Sequence, residues 1–215
     1  MNEAFLKLSS EKKETILNAA YKEFSERGYE EASTNTISRQ AGIGKGTLFY
    51  YFGNKEKLFH ALIETAFEQT YDVYFSKIDY DQTDFFKRLD EVNELKQSIY
   101  QRYPYSMRFL SEILMGLDKY PLSEAELKKR AEVEAAWADI LKKNIDLTKF
   151  REDLSRDSVL DLVRWTVDGF RLEAEAKVKK LQDKQFDQKT IESIYEEYEQ
   201  LKDQLRKIYY KQSAE

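Results

Sequence analysis

TNTISRQAGIGKGTLFYYF, residues 34–52, decides the fold. Thr34 can cap a short helix carrying Ile37 and Ala41. Gly42 and Gly44 bracket a tight turn around Ile43, and a second short helix runs from Lys45 to about Phe52. Two short helices joined by a glycine turn cross at a steep angle. Ile37, Ala41, Ile43, Leu48 and Phe52 are expected to pack inward and hold it. Leu48 and Phe52 stand four residues apart and so share one helix face. Gly53-Asn54 ends the second helix, and Asn54 can cap a further helix from Lys55.

Lys45, Thr47, Tyr50 and Tyr51 are left to point away from that core. Such a set fits duplex DNA. A recognition helix enters the major groove with its N-terminal residues at the base edges. Lys45 can reach a guanine edge or a phosphate, and Thr47 a base edge such as a thymine methyl. Tyrosine hydroxyls and Lys55 suit phosphate contacts, which fix register without reading sequence. Thr34 can reach the backbone across the groove. Gly44 and Gly46 allow close approach at a helix N-terminus whose amides attract anions. The plainer reading makes the aromatics only the core of a small helical domain, which suits Phe49 and Phe52. It leaves the polar outward face unexplained.

The block GKGTLFYYFGNKEKLF, residues 44–59, closely resembles the signature of the TetR (tetracycline-repressor) family of transcriptional regulators. Ile16-Leu17-Asn18-Ala19-Ala20 with Phe24 and Gly28-Tyr29 resembles that family's first helix, so the likeness covers roughly residues 10–60. The resemblance implies a dimer of all-α subunits, each with a DNA domain and a variable ligand-binding body. Carried over by position, Thr34, Lys45, Thr47, Tyr50, Tyr51 and Lys55 are the DNA contacts, with Gly44 and Gly46 giving backbone approach. Two positions depart from the family pattern. Phe49 stands where tyrosine is frequent and cannot donate a hydroxyl, and Tyr51 stands where histidine is frequent.

Five of the seven glycines lie between Gly28 and Gly53, so long helices are expected beyond. The first helix starts after Ser9 or Ser10 and stops at Gly28, where positive φ is available. The later helices read as about 55–78, 84–102, 105–119, 123–145, 156–183 and 188–211, with Pro104 and Pro121 between them. Ser123 and Glu126 have capping-box spacing. The expected architecture is all-α with about nine helices. Residues 1–54 form a three-helix DNA-binding domain with the helix-turn-helix at 33–58 overlapping its end. Residues 55–215 form a helical bundle for ligand binding and dimerisation.

The body is rich in aromatics. A bundle so lined can enclose a largely apolar ligand, although such stripes are more often plain core. The candidate lining set is Tyr103, Met107, Leu110, Leu114, Trp137, Leu141 and Trp165. The resemblance places the homodimer interface on the last two helices. There Leu160, Val163, Val167 and Phe170, and Ile191, Ile194, Tyr198, Leu201, Leu205 and Ile208, follow three- and four-residue steps. Gly169 sits mid-helix, where it permits close helix approach or leaves room for a ligand.

The net charge of −5 looks wrong for a partner of a polyanion. Its distribution answers this, because residues 33–58 carry a net +3 from Arg39, Lys45, Lys55 and Lys57 against Glu56. The chain has no cysteine and one histidine, His60, so the usual nucleophile–base pairs have no partners and no enzyme is expected. His60 reads as a surface or packing residue. No cofactor or metal is expected beyond a small-molecule effector of unknown identity. No apolar run approaches the roughly 18 residues of a membrane span, and the first residues lack a signal-peptide core. These point to a cytoplasmic protein without a membrane partner. The expected function is a ligand-responsive regulator, a repressor, that binds a palindromic operator in double-stranded DNA as a dimer. The alternative is a helical adaptor whose helix-turn-helix no longer binds DNA specifically; Lys45, Thr47 and Lys55 argue against it.

Overall fold

A computed structural model describes residues 1–115, 120, 122–180 and 188–211. Among these residues the fold is all-α, with ten α-helices and one isolated antiparallel bridge between Phe150 and Tyr210. The helices are α1 (Glu3–Leu6), α2 (Ser10–Glu31), α3 (Thr34–Gln40), α4 (Lys45–Phe52), α5 (Lys55–Val73), α6 (Phe85–Arg102), α7 (Pro104–Met115), α8 (Glu124–Lys142), α9 (Arg156–Lys180) and α10 (Gln188–Tyr209). The ends of the expected helices at 116–119 and 181–183, together with Pro121, lie outside the described residues.

Several boundaries differ from the sequence reading for local reasons. α1 is new; four residues are too few to show a period. Gly28 takes the expected positive φ of 70°, but it kinks α2, which continues to Glu31. Ser33, not Thr34, caps α3, its hydroxyl accepting from Thr36 N at 3.4 Å. α5 stops at Val73, short of the expected 78: Tyr74 takes φ −116° and ψ −74°, and a 3-10 turn, Phe75–Lys77, follows. Pro104 is the first residue of α7, where its missing N–H costs nothing. Asn144 leaves α8 with φ 53°, a left-handed turn that asparagine tolerates.

The chain forms two compact units. The first comprises Met1–Ile78 and Asn93–Ala136. Its core brings α2 against α3, α5 and α7. Phe59 meets Phe24 at 5.1 Å and Phe109 at 5.5 Å, and Tyr21 meets Phe109 at 5.3 Å. The Tyr21 hydroxyl donates to Leu62 O at 3.1 Å, and burial pushes its pKa up. On the flank of α5, His60 Nδ1 lies 2.8 Å from Glu126 Oε1. Lys129 Nζ reaches Glu68 at 2.7 Å and Glu64 at 3.7 Å.

The second unit comprises Asp79–Val92 and Trp137–Glu215. At its centre Arg88 is 1% exposed and donates to main-chain carbonyls of Tyr80, Gln82, Ile140, Lys143 and Asn144. The last three close the C-terminal end of α8, where a cation offsets the helix dipole. Burial lowers the Arg88 pKa. Nearby, Asp84 accepts from Lys149 at 2.7 Å and from the Tyr210 hydroxyl at 2.8 Å. Phe86 and Phe150 flank the Tyr210 ring at 4.8 and 4.9 Å. Lys202, buried on α10, pairs with Asp90 and Glu199.

On α9, Val159 and Val163 enter the core of this unit, while Leu160 and Val167 are half-buried and Phe170 meets Tyr198 at 5.5 Å. On α10, Leu205 is buried, Ile194, Tyr198 and Leu201 are half-buried, and Ile208 is exposed. The side chain of Ile191 is outside the described set. Leu162, Trp165 and Leu172 on α9 face outward at 40, 58 and 57% exposure. Gly169 lies among them, and a Cβ there would meet nothing within 4 Å.

Candidate nucleic-acid interface

The helix-turn-helix is assembled as its pattern requires. Ile37, Ala41, Leu48 and Phe52 are buried, and Ile43 is half-buried. Gly42 turns the chain with φ 61°, and Ile43 N donates back to Ser38 O at 3.0 Å. The entrance to α3 is fixed by Glu23, a buried carboxylate on α2 that accepts from Ser33 N at 2.9 Å. Its exit is fixed by Lys12, whose ammonium donates to Ala41 O at 3.1 Å. Neither partner is readable from spacing, since each lies far along the chain from the group it closes.

α4 begins at Gly44 without a side-chain cap. Lys45 is exposed, with its ammonium 5.7 Å from the Phe49 ring centre. Thr47 is half-buried and Gly46 exposed; a Cβ on Gly46 would meet nothing within 4 Å, while one on Gly44 would touch Thr47 Oγ1 at 3.6 Å. Gly46 is therefore not demanded by the packing of the chain itself. Tyr50 is 66% exposed. Tyr51 is half-buried with its ring 5.7 Å from that of Phe5. Lys45, Thr47 and Tyr50 thus occupy α4 positions other than those that face the core, as the sequence expects.

Thr34 is half-buried in the first turn of α3. Lys55 opens α5, where Asn54 Oδ1 accepts from Lys57 N at 2.7 Å. The Lys55 ammonium donates to Glu30 O at 2.9 Å and stands 5.0 Å from the Tyr29 ring centre, so it is held against the end of α2. Arg39 and Lys57 are further exposed cations in the motif.

The expected ligand set is divided. In the first unit Met107 and Leu110 are buried and Leu114 half-buried along one face of α7; Tyr103, just before that helix, accepts from Arg102 Nε at 2.8 Å. In the second unit Leu141 is half-buried, while Trp137 and Trp165 are 39 and 58% exposed. No described helix is long and apolar enough to cross a membrane.

Residues 16–62 match the family described as bacterial regulatory proteins, tetR family. The chain is 33% identical over 110 residues to the HTH-type transcriptional regulator RutR of Escherichia coli (strain K12), covering 50% of each chain. It is 33% identical over 60 residues to the biofilm operon icaADBC HTH-type negative transcriptional regulator IcaR of Staphylococcus epidermidis, covering 28% of this chain and 32% of IcaR. The chain thus spans half or less of the length of these curated relatives. Among solved structures, that of a TetR family transcriptional regulator from Chloroflexus aurantiacus J-10-FL superposes with a TM-score of 0.65 at 20% identity, covering 98% of this chain and 99% of that one.

Proposed function

Because the chain belongs, through its N-terminal domain, to the tetR family of bacterial regulatory proteins, we propose that it is a repressor that binds a palindromic operator as a homodimer and leaves it when a small apolar molecule binds. Residues 1–54 bind DNA and residues 55–215 carry effector and dimer contacts. The carrying observation is α4. Leu48 and Phe52 are buried, while Lys45 and Tyr50 are exposed at the same helix's outward positions.

Lys45 and Thr47 read base edges. Thr34, Tyr50, Tyr51 and Lys55 hold phosphates, and Gly44 and Gly46 admit the DNA backbone to the helix N-terminus. Lys55 exchanges its bond to Glu30 O for a phosphate when DNA arrives. The name of IcaR, a negative regulator, supports repression over activation.

The outward stripe Leu162, Trp165, Gly169 and Leu172 supports dimerisation through α9 and α10, with Gly169 allowing two helices to approach closely. Two recognition helices about one DNA turn, roughly 34 Å, apart then meet successive major grooves. We assign Trp165 to this interface rather than to the effector. The effector contacts retained are Tyr103, Met107, Leu110 and Leu114, which all lie in the first unit.

The test is selection of duplexes from a randomised pool by the full-length chain, followed by titration of the selected duplex at several salt concentrations. A palindromic consensus and a steep salt dependence are expected. Failure to enrich any duplex at low salt would favour the adaptor role.

A further inference from the structure

α4 has eight residues and no side-chain cap at its start. A helix this short is unstable alone, because nucleation is costly and few hydrogen bonds reward it. Its last four carbonyls, those of residues 49–52, also lack partners within the helix. Gly53 N closes the first of them, donating to Phe49 O at 2.7 Å with Gly53 at φ 87°. The next two are closed by one residue far away in sequence. Asn2 Nδ2 donates to Tyr50 O at 2.6 Å, and Asn2 N donates to Tyr51 O at 3.1 Å.

The same side chain acts in the other direction. Asn2 Oδ1 accepts from Phe5 N at 3.0 Å and caps α1. Phe5 is 1% exposed, with its ring 4.9 Å from that of Phe52 and 5.7 Å from that of Tyr51. The amide of Asn2 therefore joins the start of α1 to the end of α4, and Phe5 seats α1 on the last turn of α4. Asn2 and Phe5 precede the residues matched by the family, 16–62, while the turn of α4 that they hold lies within them.

We infer that residues 2–6 form a brace that positions the recognition helix, with Asn2 acting as its C-terminal cap from outside the helix. The brace fixes the turn that carries Tyr50 and Tyr51, and so sets operator affinity without touching a base. The inference rests on the proposed DNA-binding role of α4. Asn2 and Phe5 are positioning residues; they act through Tyr50, Tyr51 and Phe52.

Asn2→Ser isolates the claim. Serine is as good an N-cap as asparagine, so α1 keeps its cap, but the amide donor to Tyr50 O is gone. The probe is a duplex selected from a randomised pool by the full-length wild-type chain. Two readouts are needed: affinity for that duplex, and hydrogen exchange of the amides in residues 48–53. With Asn2→Ser, affinity falls five- to tenfold, those amides exchange faster, and the thermal midpoint stays near that of wild type. Phe5→Ala gives the same pair of changes in larger measure.

If wild type selects a duplex and Asn2→Ser matches it in affinity and exchange, the brace is refuted. A loss of affinity with unchanged exchange in 48–53 also refutes it, since Asn2 would then act on DNA directly. If wild type enriches no duplex, the DNA-binding role fails. Exchange then still decides whether Asn2 holds the end of α4.

Discussion

Glu126 and His60 meet across 2.8 Å, and the same carboxylate also accepts from Ser123 N at 2.7 Å and Ser123 Oγ at 2.8 Å. One buried side chain thus completes the capping box of α8 and ties that box to α5 at His60, eight residues beyond the end of α4 at Phe52. Glu126→Ala is expected to destabilise the first unit by about 2–3 kcal/mol, since a buried charged acceptor and its bonds are lost together. Glu126→Gln keeps the shape and part of the bonding and loses less. Urea unfolding followed by the fluorescence of the chain checks the order.

Among the described residues, Arg88 donates to five main-chain carbonyls. Arg88→Met removes every one of these donors at once, the buried bond to Ile140 O among them, and a loss of about 3 kcal/mol is expected. Arg88→Lys recovers little, because an ammonium lacks the planar fork that serves several acceptors at once. Denaturation midpoints of the three proteins test this.

Acid should weaken the second unit through Asp84. Burial pushes its carboxyl up, but the Lys149 bond, the Lys87 N–H, the Tyr210 hydroxyl and the Lys149 charge outweigh that and hold it below the usual carboxylate range. A carboxylate with a lowered folded pKa stabilises above its unfolded value of about 3.9. That contribution disappears as pH falls from there through the lower folded value. Asp84→Asn is expected to flatten the acid limb of the stability profile, and Tyr210→Phe to move the limb to higher pH. Denaturant titrations between pH 2 and pH 6 read both.

The glycines of the motif should separate fold from function. Gly46→Ala meets nothing within 4 Å and gains about 1 kcal/mol of helix propensity. The variant is expected to fold at least as stably as wild type while binding the selected duplex at least tenfold more weakly. Gly42→Ala and Gly53→Ala, at φ 61° and 87°, should instead destabilise. An unchanged duplex affinity for Gly46→Ala would remove Gly46 from the interface.

Trp165→Arg is expected to shift the chain from dimer to monomer in sedimentation equilibrium with little change in helicity. Trp165 is 58% exposed in the single chain and Gly169 beside it is open, so the charge costs the monomer little. If the variant stays dimeric, the Leu162–Leu172 stripe is not the seam.

The motif itself was legible because its information is local. Ile37, Ala41, Leu48 and Phe52 are buried as their spacing demands, and Asn54 caps α5. The miss at Thr34 was a choice between adjacent residues with equal capping chemistry, decided by the bond from Ser33 N to Glu23 ten residues away. Asn2, Lys12 and Arg88 were illegible for one physical reason. Each satisfies main-chain carbonyls, which every residue carries, so no side-chain pattern marks the recipient. The division of α9 was also hidden, because Val163 and Leu162 are equally apolar and only packing tells core from surface.

The bridge between Phe150 and Tyr210, with the Tyr210 hydroxyl bonded to Asp84, bears on the order of events during synthesis. Every residue of the first unit has been made once Ala136 is joined, and domains complete in the nascent chain fold as units before later ones. The second unit cannot close until Tyr210 has left the ribosome, because Asp84 waits on a partner 126 residues downstream. The helix-turn-helix is therefore complete well before the second unit, and a chain cut short near residue 200 would carry α4 in a finished unit yet lack the bridge that closes the unit carrying α9 and α10.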